Sequence, residues 1–264
     1  MNQNELLEIF NRNYPGDGRP PELYFAPGRV NLIGEHTDYN NGYVFPCSLD
    51  YGTYLLIRRI NQPVLKFATT NFSFRTEIPI SEAGMKVGDE WVNYPLGVIN
   101  QFMKRGIEPG GLEMLFSGTV PNGAGLSSSA SIEMAMAVAM NEIFQTGFPL
   151  VELALIGQQA ENQFVGMNCG IMDQFASALG RENAALFVDC NTLKYELVPL
   201  KLGDYRLVIS NTNKRRGLTD SKYNERRSEC ERAVDYIRKR KEISHLSQIG
   251  MSEFESLREA IPDG

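Results

Sequence analysis

The stretch that decides the fold is "SGTVPNGAGLSSSASIEMAMA", Ser117–Ala137. A strand pattern ends at Val120. A loop of small residues runs from Pro121 to Ser129, and a nearly all-apolar helix starts directly behind it. Glycines let a backbone wrap closely round a ligand, and a helix N-terminus offers N–H groups to an anion. The hydroxyls of Ser127, Ser128 and Ser129 can serve phosphate oxygens or a magnesium shell. A flexible Gly/Ser connector is the competing reading. Linkers, however, are seldom inserted between a strand and a fully apolar helix. No Gly-Lys-Ser/Thr follows, so this is not a Walker A loop, and any phosphate must be held without that lysine.

Outward from this loop, the chain reads as an ordinary globular protein. It has 264 residues, 42% hydrophobic and 22% charged, enough for one large domain or two small ones. The net charge of −6 argues against nucleic acid as a partner. Lys214–Lys241 carries eleven basic and five acidic residues, net +6. The acids interleave and aromatics are few, so a solvated helix face is expected there. No apolar run approaches the ~18 residues of a membrane helix, and the N-terminus lacks a signal-peptide pattern. Cys47, Cys169, Cys190 and Cys230 are scattered and form no CxxC pair. Free thiols and a cytoplasmic location are the expectation. Two histidines, His36 and His245, make a His/Cys zinc site improbable.

Before the loop, "GYVFPCSL", "GTYLLIRRI", "PVLKFATTN", "SFRTEIPI" and "GLEMLFSGTV" read as strands, with a helix at "WVNYPLGVINQFMKRG". After it come helices at Ala130–Phe144, Leu150–Gly166 and Gly170–Gly180. A hairpin follows in "AALFVDC" and "KYELVPL", then a strand in "YRLVISN", Tyr205–Asn211. Helix resumes from about Asp220, and Ser252 with Glu255 reads as a capping box. This order predicts an α+β fold rather than a regular βαβ sheet.

Two further stretches carry chemistry. "APGRVNLIGEHTDYNNGYVFPCSLD", Ala26–Asp50, packs Arg29, Glu35, His36 and Asp38 into ten residues, which a core strand would not tolerate. In "ENQFVGMNCGIMDQFASALG", Asp173 lies early in an apolar helix just past Gly170, where the helix dipole favours an anion. Glu161 sits near the end of the preceding helix. Carboxylates on buried helices beside a phosphate loop are usual anchors for Mg²⁺.

"PGRVNLIGEHTDYNNG" resembles the galactokinase signature. "PNGAGLSSSAS" is similar to the central phosphate motif of the GHMP small-molecule kinases, and "CGIMDQFAS" also resembles galactokinases. The similarity runs from about Tyr24 to Arg227. It implies a GHMP kinase fold, with an N-terminal mixed α/β domain at 1–182 and an incomplete ferredoxin-like α+β domain at 183–264. It implies ATP-dependent phosphorylation of galactose at its anomeric oxygen, with ATP and Mg²⁺.

Carried over by resemblance, Glu35 and His36 bond the O6 side of the sugar and Asp38 accepts from O3 and O4. Gly170 and Tyr223 also belong to the sugar site. Asp173 takes the proton from the anomeric hydroxyl. Arg29 pairs with it and helps neutralise the transferring phosphoryl group. Gly123, Ala124, Gly125, Leu126, Ser127, Ser128 and Ser129 cradle the nucleotide phosphates. Trp91 lies against adenine, and Ser129 and Glu161 ligate the magnesium.

In one respect the chain departs from the family. GHMP kinases carry a third, glycine-rich motif near the C-terminus, yet after Arg181 only the dispersed Gly203, Gly217, Gly250 and Gly264 occur. The expectation is weak nucleotide binding, slow or no turnover, and an uncovered sheet edge that self-associates or borrows a partner. The rival readings are a non-catalytic galactose/ATP sensor descended from a kinase, an inactive remnant, and an N-acetylgalactosamine kinase.

Overall fold

The computed structural model describes residues 2–16, 19–121, 124–211 and 220–258. In chain order it has helix α1 (Gln3–Asn13), then strands β1 (Glu22–Asn31), β2 (Tyr43–Val44), β3 (Pro46–Ile60), β4 (Val64–Thr69) and β5 (Thr76–Pro79). Helix α2 (Asn93–Lys104), strand β6 (Gly111–Gly118) and helices α3 (Ser128–Ile143), α4 (Leu150–Gln159) and α5 (Met172–Leu179) follow. Strands β7 (Ala184–Asp189) and β8 (Lys194–Pro199) precede helices α6 (Asp220–Arg238) and α7 (Met251–Leu257). Strands and helices mix without regular βαβ alternation, as the pattern predicts. Two compact units are present, and both are discontinuous in sequence. The first is Met1–Val30, Ser48–Cys169 and Asp173–Gly180; the second is Asn31–Cys47, Gly170–Met172 and Arg181–Gly264. No helix among the described residues is long and apolar enough to cross a membrane.

The first unit is built on a five-stranded sheet in the order β1-β3-β6-β4-β5. β6 runs antiparallel to β3 and parallel to β4. Strand alternation sends Leu55 and Ile57, Leu65 and Phe67, and Leu112, Met114 and Phe116 to one face. There they bury against α2, α3 and α4 through Leu96, Phe102, Met134, Met140 and Ile156. Leu56, Ala68 and Leu115 point the other way and meet Leu6, Phe10 and Tyr14 around α1. β6 is therefore buried on both faces. α1 is held at its start by a capping box, Asn2 with Glu5, at 2.9 Å in both directions.

A charged triplet crosses the centre of this sheet. Glu113 on β6 stands opposite Arg58 on β3 and Lys66 on β4. Its carboxylate accepts from Arg58 Nη2 at 2.7 Å and from Lys66 Nζ at 3.3 Å. Arg58 also donates to the Tyr14 carbonyl at 2.8 Å and lies over the Phe10 ring, so it ties α1 to the sheet.

The second unit holds a three-stranded sheet, β2-β7-β8, with Val44 paired to Val188 and the β7–β8 hairpin in the expected place. Val234, Ile237 and Ile243 make a small separate core with Leu246, Ile249 and Leu257.

Two expectations fail in this unit. Tyr205–Asn211 is irregular, not a strand, and Tyr205 and Val208 are 81% and 84% exposed. A β-branched, aromatic segment becomes a strand only when a neighbour supplies its backbone partners. Ser252 does not cap a helix, because α7 already begins at Met251 and Gly250 occupies the cap position. The long helix expected at Leu150–Gly166 also changes character. It is α-helical to Gln159 and then makes a π-helical turn, Ala160–Val165.

Replacing Glu113 with alanine strands a buried guanidinium, so unfolding free energy should drop by about 3–5 kcal/mol. Urea titration of Glu113→Ala checks this. A drop below about 1 kcal/mol, the scale of a surface pair, would contradict the buried assignment.

Candidate active site

In the first unit, β1 delivers Arg29 to the start of α5. Its guanidinium grips Asp173 with two parallel bonds, Nε to Oδ1 at 2.8 Å and Nη2 to Oδ2 at 2.9 Å. Nη1 donates to the Gly125 carbonyl at 2.8 Å. The Arg29 backbone N–H donates to the Leu126 carbonyl at 3.2 Å. Close approach is possible because residue 28 is glycine: a Cβ there would lie 2.5 Å from the Leu126 oxygen. The small-residue loop is thus anchored to β1, and β1 to α5.

Ser127 completes this cluster. It lies at the N-cap of α3 in the left-handed region, φ 59 and ψ 50, which a non-glycine residue adopts at a cost. Its hydroxyl does not cap the helix. It donates to Asp173 Oδ2 at 2.5 Å instead. Gly125 also has a positive φ, at 75. Ala124 is half-buried and Leu126 buried, while Gly123 lies outside the described residues.

Ser128 and Ser129 face a cavity of about 250 Å³ lined also by Phe72, Trp91, Tyr94 and Ile132. Trp91 packs edge-on to Phe116 with centroids 5.5 Å apart, and its indole N–H is buried without a hydrogen-bond partner among the described residues. An apolar slot with one orphan donor, open to a serine-rich helix start, suits a flat heteroaromatic ligand carrying phosphates.

Ser129 hydrogen-bonds the Glu161 side chain, which sits in the π-helical turn. Burial first, and then the charge of Asp173, push the Glu161 carboxyl up to about 7; bonds from Cys169, Ser129 and Gln174 pull the other way. Burial and then Glu161 push Glu133 up as well. Among the described residues no three His, Cys, Asp or Glu side chains converge on a metal position. Mg²⁺ commonly takes only one or two protein oxygens beside water and substrate phosphates. A touching hydroxyl and carboxylate, the latter in an electronegative interior, fit that cation.

In the second unit, the Asn31–Cys47 segment is a tight polar turn. Thr37 Oγ1 sits 2.7 Å from both the Gly34 and Tyr43 carbonyls, and Asn31 donates to Glu35 at 2.7 Å. Gly34 has φ 110, and a Cβ there would lie 2.7 Å from the Tyr43 oxygen. His36 Nδ1 shares a hydrogen bond with Tyr39 Oη at 2.7 Å. The Tyr223 ring lies 5.9 Å from His36 and 5.5 Å from Tyr39. Glu35 and His36 are exposed, Asp38 half-buried. A Cβ at position 170 would overlap the Asp38 carboxylate, so Gly170 is what lets the two segments meet.

The proposed residues therefore gather into four contacts: Arg29 with Asp173, Gly125 and Ser127; Ser129 with Glu161; His36 with Tyr223; and Asp38 with Gly170. Sequence reasoning missed Tyr39, Asn31, Glu133 and Gln174. Glu133 did leave a signal, as a charge set within the apolar run Ala130–Met140 of α3.

Comparison with known proteins matches two stretches of the chain to described families. The family model "Galactokinase galactose-binding signature" matches residues 8–59, and "GHMP kinases N terminal domain" matches residues 93–181. The galactokinase of Clostridium tetani is 49% identical over 264 residues, which is 100% of this chain and 67% of that protein. The chain belongs to the galactokinase family. The Clostridium beijerinckii galactokinase is 47% identical, over 99% of this chain and 68% of that protein. The crystal structure of Lactococcus lactis galactokinase complexed with galactose superposes with a TM-score of 0.94 at 43% identity, over 98% of this chain and 68% of that one. Methanococcus jannaschii mevalonate kinase, at 20% identity and TM-score 0.57, shares the fold. The fold is that of the GHMP kinases, and the chain is a galactokinase-like sugar kinase by descent.

The raised carboxyls carry a pH signature. They bind protons more tightly folded than unfolded, so stability is lost as pH rises from the ordinary glutamate range near ~4.3 through about 7. In metal-free buffer, urea midpoints should fall across that window, and Glu161→Gln should flatten the fall. An unchanged slope in the variant would remove Glu161 from the buried cluster.

Proposed function

We propose that this chain transfers the γ-phosphoryl group of ATP to the anomeric hydroxyl of galactose. The observation that carries the reading is the Arg29–Asp173 pair, gripped in two parallel bonds and fastened through Gly125 and Ser127 to the small-residue loop. A purely structural ion pair would need neither the loop carbonyl nor a hydroxyl from a left-handed serine. The match of the galactose-binding signature to the segment that carries Glu35, His36 and Asp38 supports the choice of sugar.

In this reading Asp173 accepts the proton of the anomeric hydroxyl as that oxygen bonds the γ-phosphorus and the bond from phosphorus to the departing ADP oxygen breaks. Arg29 orients that carboxylate and offers positive charge to the transferring group. Phosphoryl transfer asks the protein mainly for position and electrostatics. Gly123 to Ser129 and the N-terminus of α3 hold the nucleotide phosphates, and Trp91 stands against the base. Asp38 accepts from paired sugar hydroxyls, Glu35 and His36 bond the O6 side, and Gly170 and Tyr223 shape that site. Ser129 and Glu161 would hold Mg²⁺, which when bound screens the phosphate charge.

A coupled ADP-release assay with galactose, with N-acetylgalactosamine and without sugar tests the reading directly. Galactose-dependent release supports it; release only with the acetamido sugar, or none at all, would refute it. Asp173→Asn should keep the fold and both ligands yet lose at least ~10²-fold in turnover. A variant with parental turnover would take the base role from Asp173.

Asp38→Ala should weaken galactose by ~1.5–3 kcal/mol, the range for hydrogen bonds to a charged group, and leave nucleotide affinity intact. Calorimetry decides, and unchanged galactose affinity would remove Asp38 from the sugar site.

A further inference from the structure

In the first unit a fully buried glutamine stands between two buried acids. Gln174 follows Asp173 on α5 and is therefore turned about 100° from it round the helix. Its amide nitrogen donates to Glu133 Oε2 at 2.9 Å and to Glu161 Oε2 at 2.8 Å. Glu133 lies on α3, one turn beyond Ser129, and is completely enclosed. α4 can close over the group because residue 157 is glycine. A Cβ there would lie 3.1 Å from Gln174 Cγ and 3.6 Å from Glu133 Cβ.

An apolar side chain would fill this space at lower cost. Gln174 Oε1 and Glu133 Oε1 are both buried without a hydrogen-bond partner among the described residues, a penalty that a packed core avoids. Two donors converge on one atom of Glu161: Gln174 Nε2, and Cys169 Sγ at 3.5 Å, both reach Oε2. That fixes the rotation of the Glu161 carboxylate and leaves Oε1 out of both contacts.

We propose that Gln174 is a positioning residue for the kinase reaction. It holds Glu161 Oε2 against Glu133, so that the other carboxylate oxygen is presented, with the Ser129 hydroxyl, to the divalent cation that accompanies the nucleotide. Glu133 serves as the acceptor that anchors the amide. Gln174 acts only through Glu161 and has no contact of its own with either substrate. The inference rests on the kinase reading and deepens it.

The test uses this chain with ADP as the nucleotide and Mn²⁺ in place of Mg²⁺. Free Mn²⁺ is read by electron paramagnetic resonance, and ADP binding without metal by calorimetry. Outer contacts to a metal ligand typically set affinity by ~10–100-fold. Gln174→Met should weaken Mn²⁺ in the presence of ADP on that scale and leave metal-free ADP and galactose affinities unchanged. Glu133→Gln, which keeps an acceptor oxygen, should retain Mn²⁺ affinity, whereas Glu133→Met should lose it as Gln174→Met does. Parental Mn²⁺ affinity in Gln174→Met would overturn the inference. An equal loss of metal-free ADP binding would also overturn it, because that marks a general packing role. If Gln174→Met does not fold, the Glu133→Met and Glu133→Gln pair decides by the same criteria. A parental chain whose ADP binding ignores Mn²⁺ would instead overturn the kinase reading, and this inference with it.

Discussion

Arg29 joins three parts of the chain that are far apart in sequence. Its guanidinium, 14% exposed, spends its donors on both oxygens of Asp173 and on the Gly125 carbonyl. β1, the small-residue loop and α5 are thereby set in fixed register. The planar fork of arginine suits this task, since lysine offers no parallel pair of bonds to a carboxylate. Ser127 then takes up Asp173 from the helix side, and the backbone strain at Ser127 is held in place by that bond. Loss of Arg29 would release the loop as well as the carboxylate.

Elsewhere the first unit treats buried polarity in two ways. The Arg58–Glu113–Lys66 triplet pairs its one acid with two bases within the sheet and is fastened to α1, so it serves the fold. The Glu133–Gln174–Glu161 group is unbalanced. It carries two acids, no basic side chain and two orphan oxygens. Two carboxyls whose ionisation is opposed by burial, set beside a hydroxyl, are suited to a cation that arrives with substrate and offsets their charge. The π-helical turn at Ala160–Val165 contributes to the same place, since it sets the angle at which Glu161 leaves its helix.

Much of the fold was legible because alternation and helical periodicity are local. The strands of β3, β4 and β6, the β7–β8 hairpin and the apolar α3 all follow from their own residues. Tyr205–Asn211 was misread for the complementary reason. Its composition favours a strand, but pairing depends on a neighbour that composition cannot name. Ser252 failed similarly: a capping pattern is a local possibility, and the helix started two residues too early to use it. At the site, the types and spacing of Glu35, His36, Asp38, the serine loop and Asp173 pointed to sugar and phosphate through a family resemblance.

The sequence by itself determined which residues could do chemistry and which family they belong to. Only the tertiary structure decided how they are held. Arg29 and Asp173 are 144 positions apart, and Gln174 reaches Glu133 across 41. Sequence has no rule for such pairs, because side chains so separated meet only after sheet and helices have packed. The Ser127 hydroxyl sits at the N-cap of α3 yet accepts no bond from that helix; it donates to a carboxylate of a distant helix, a contact that exists only once α3 and α5 have packed.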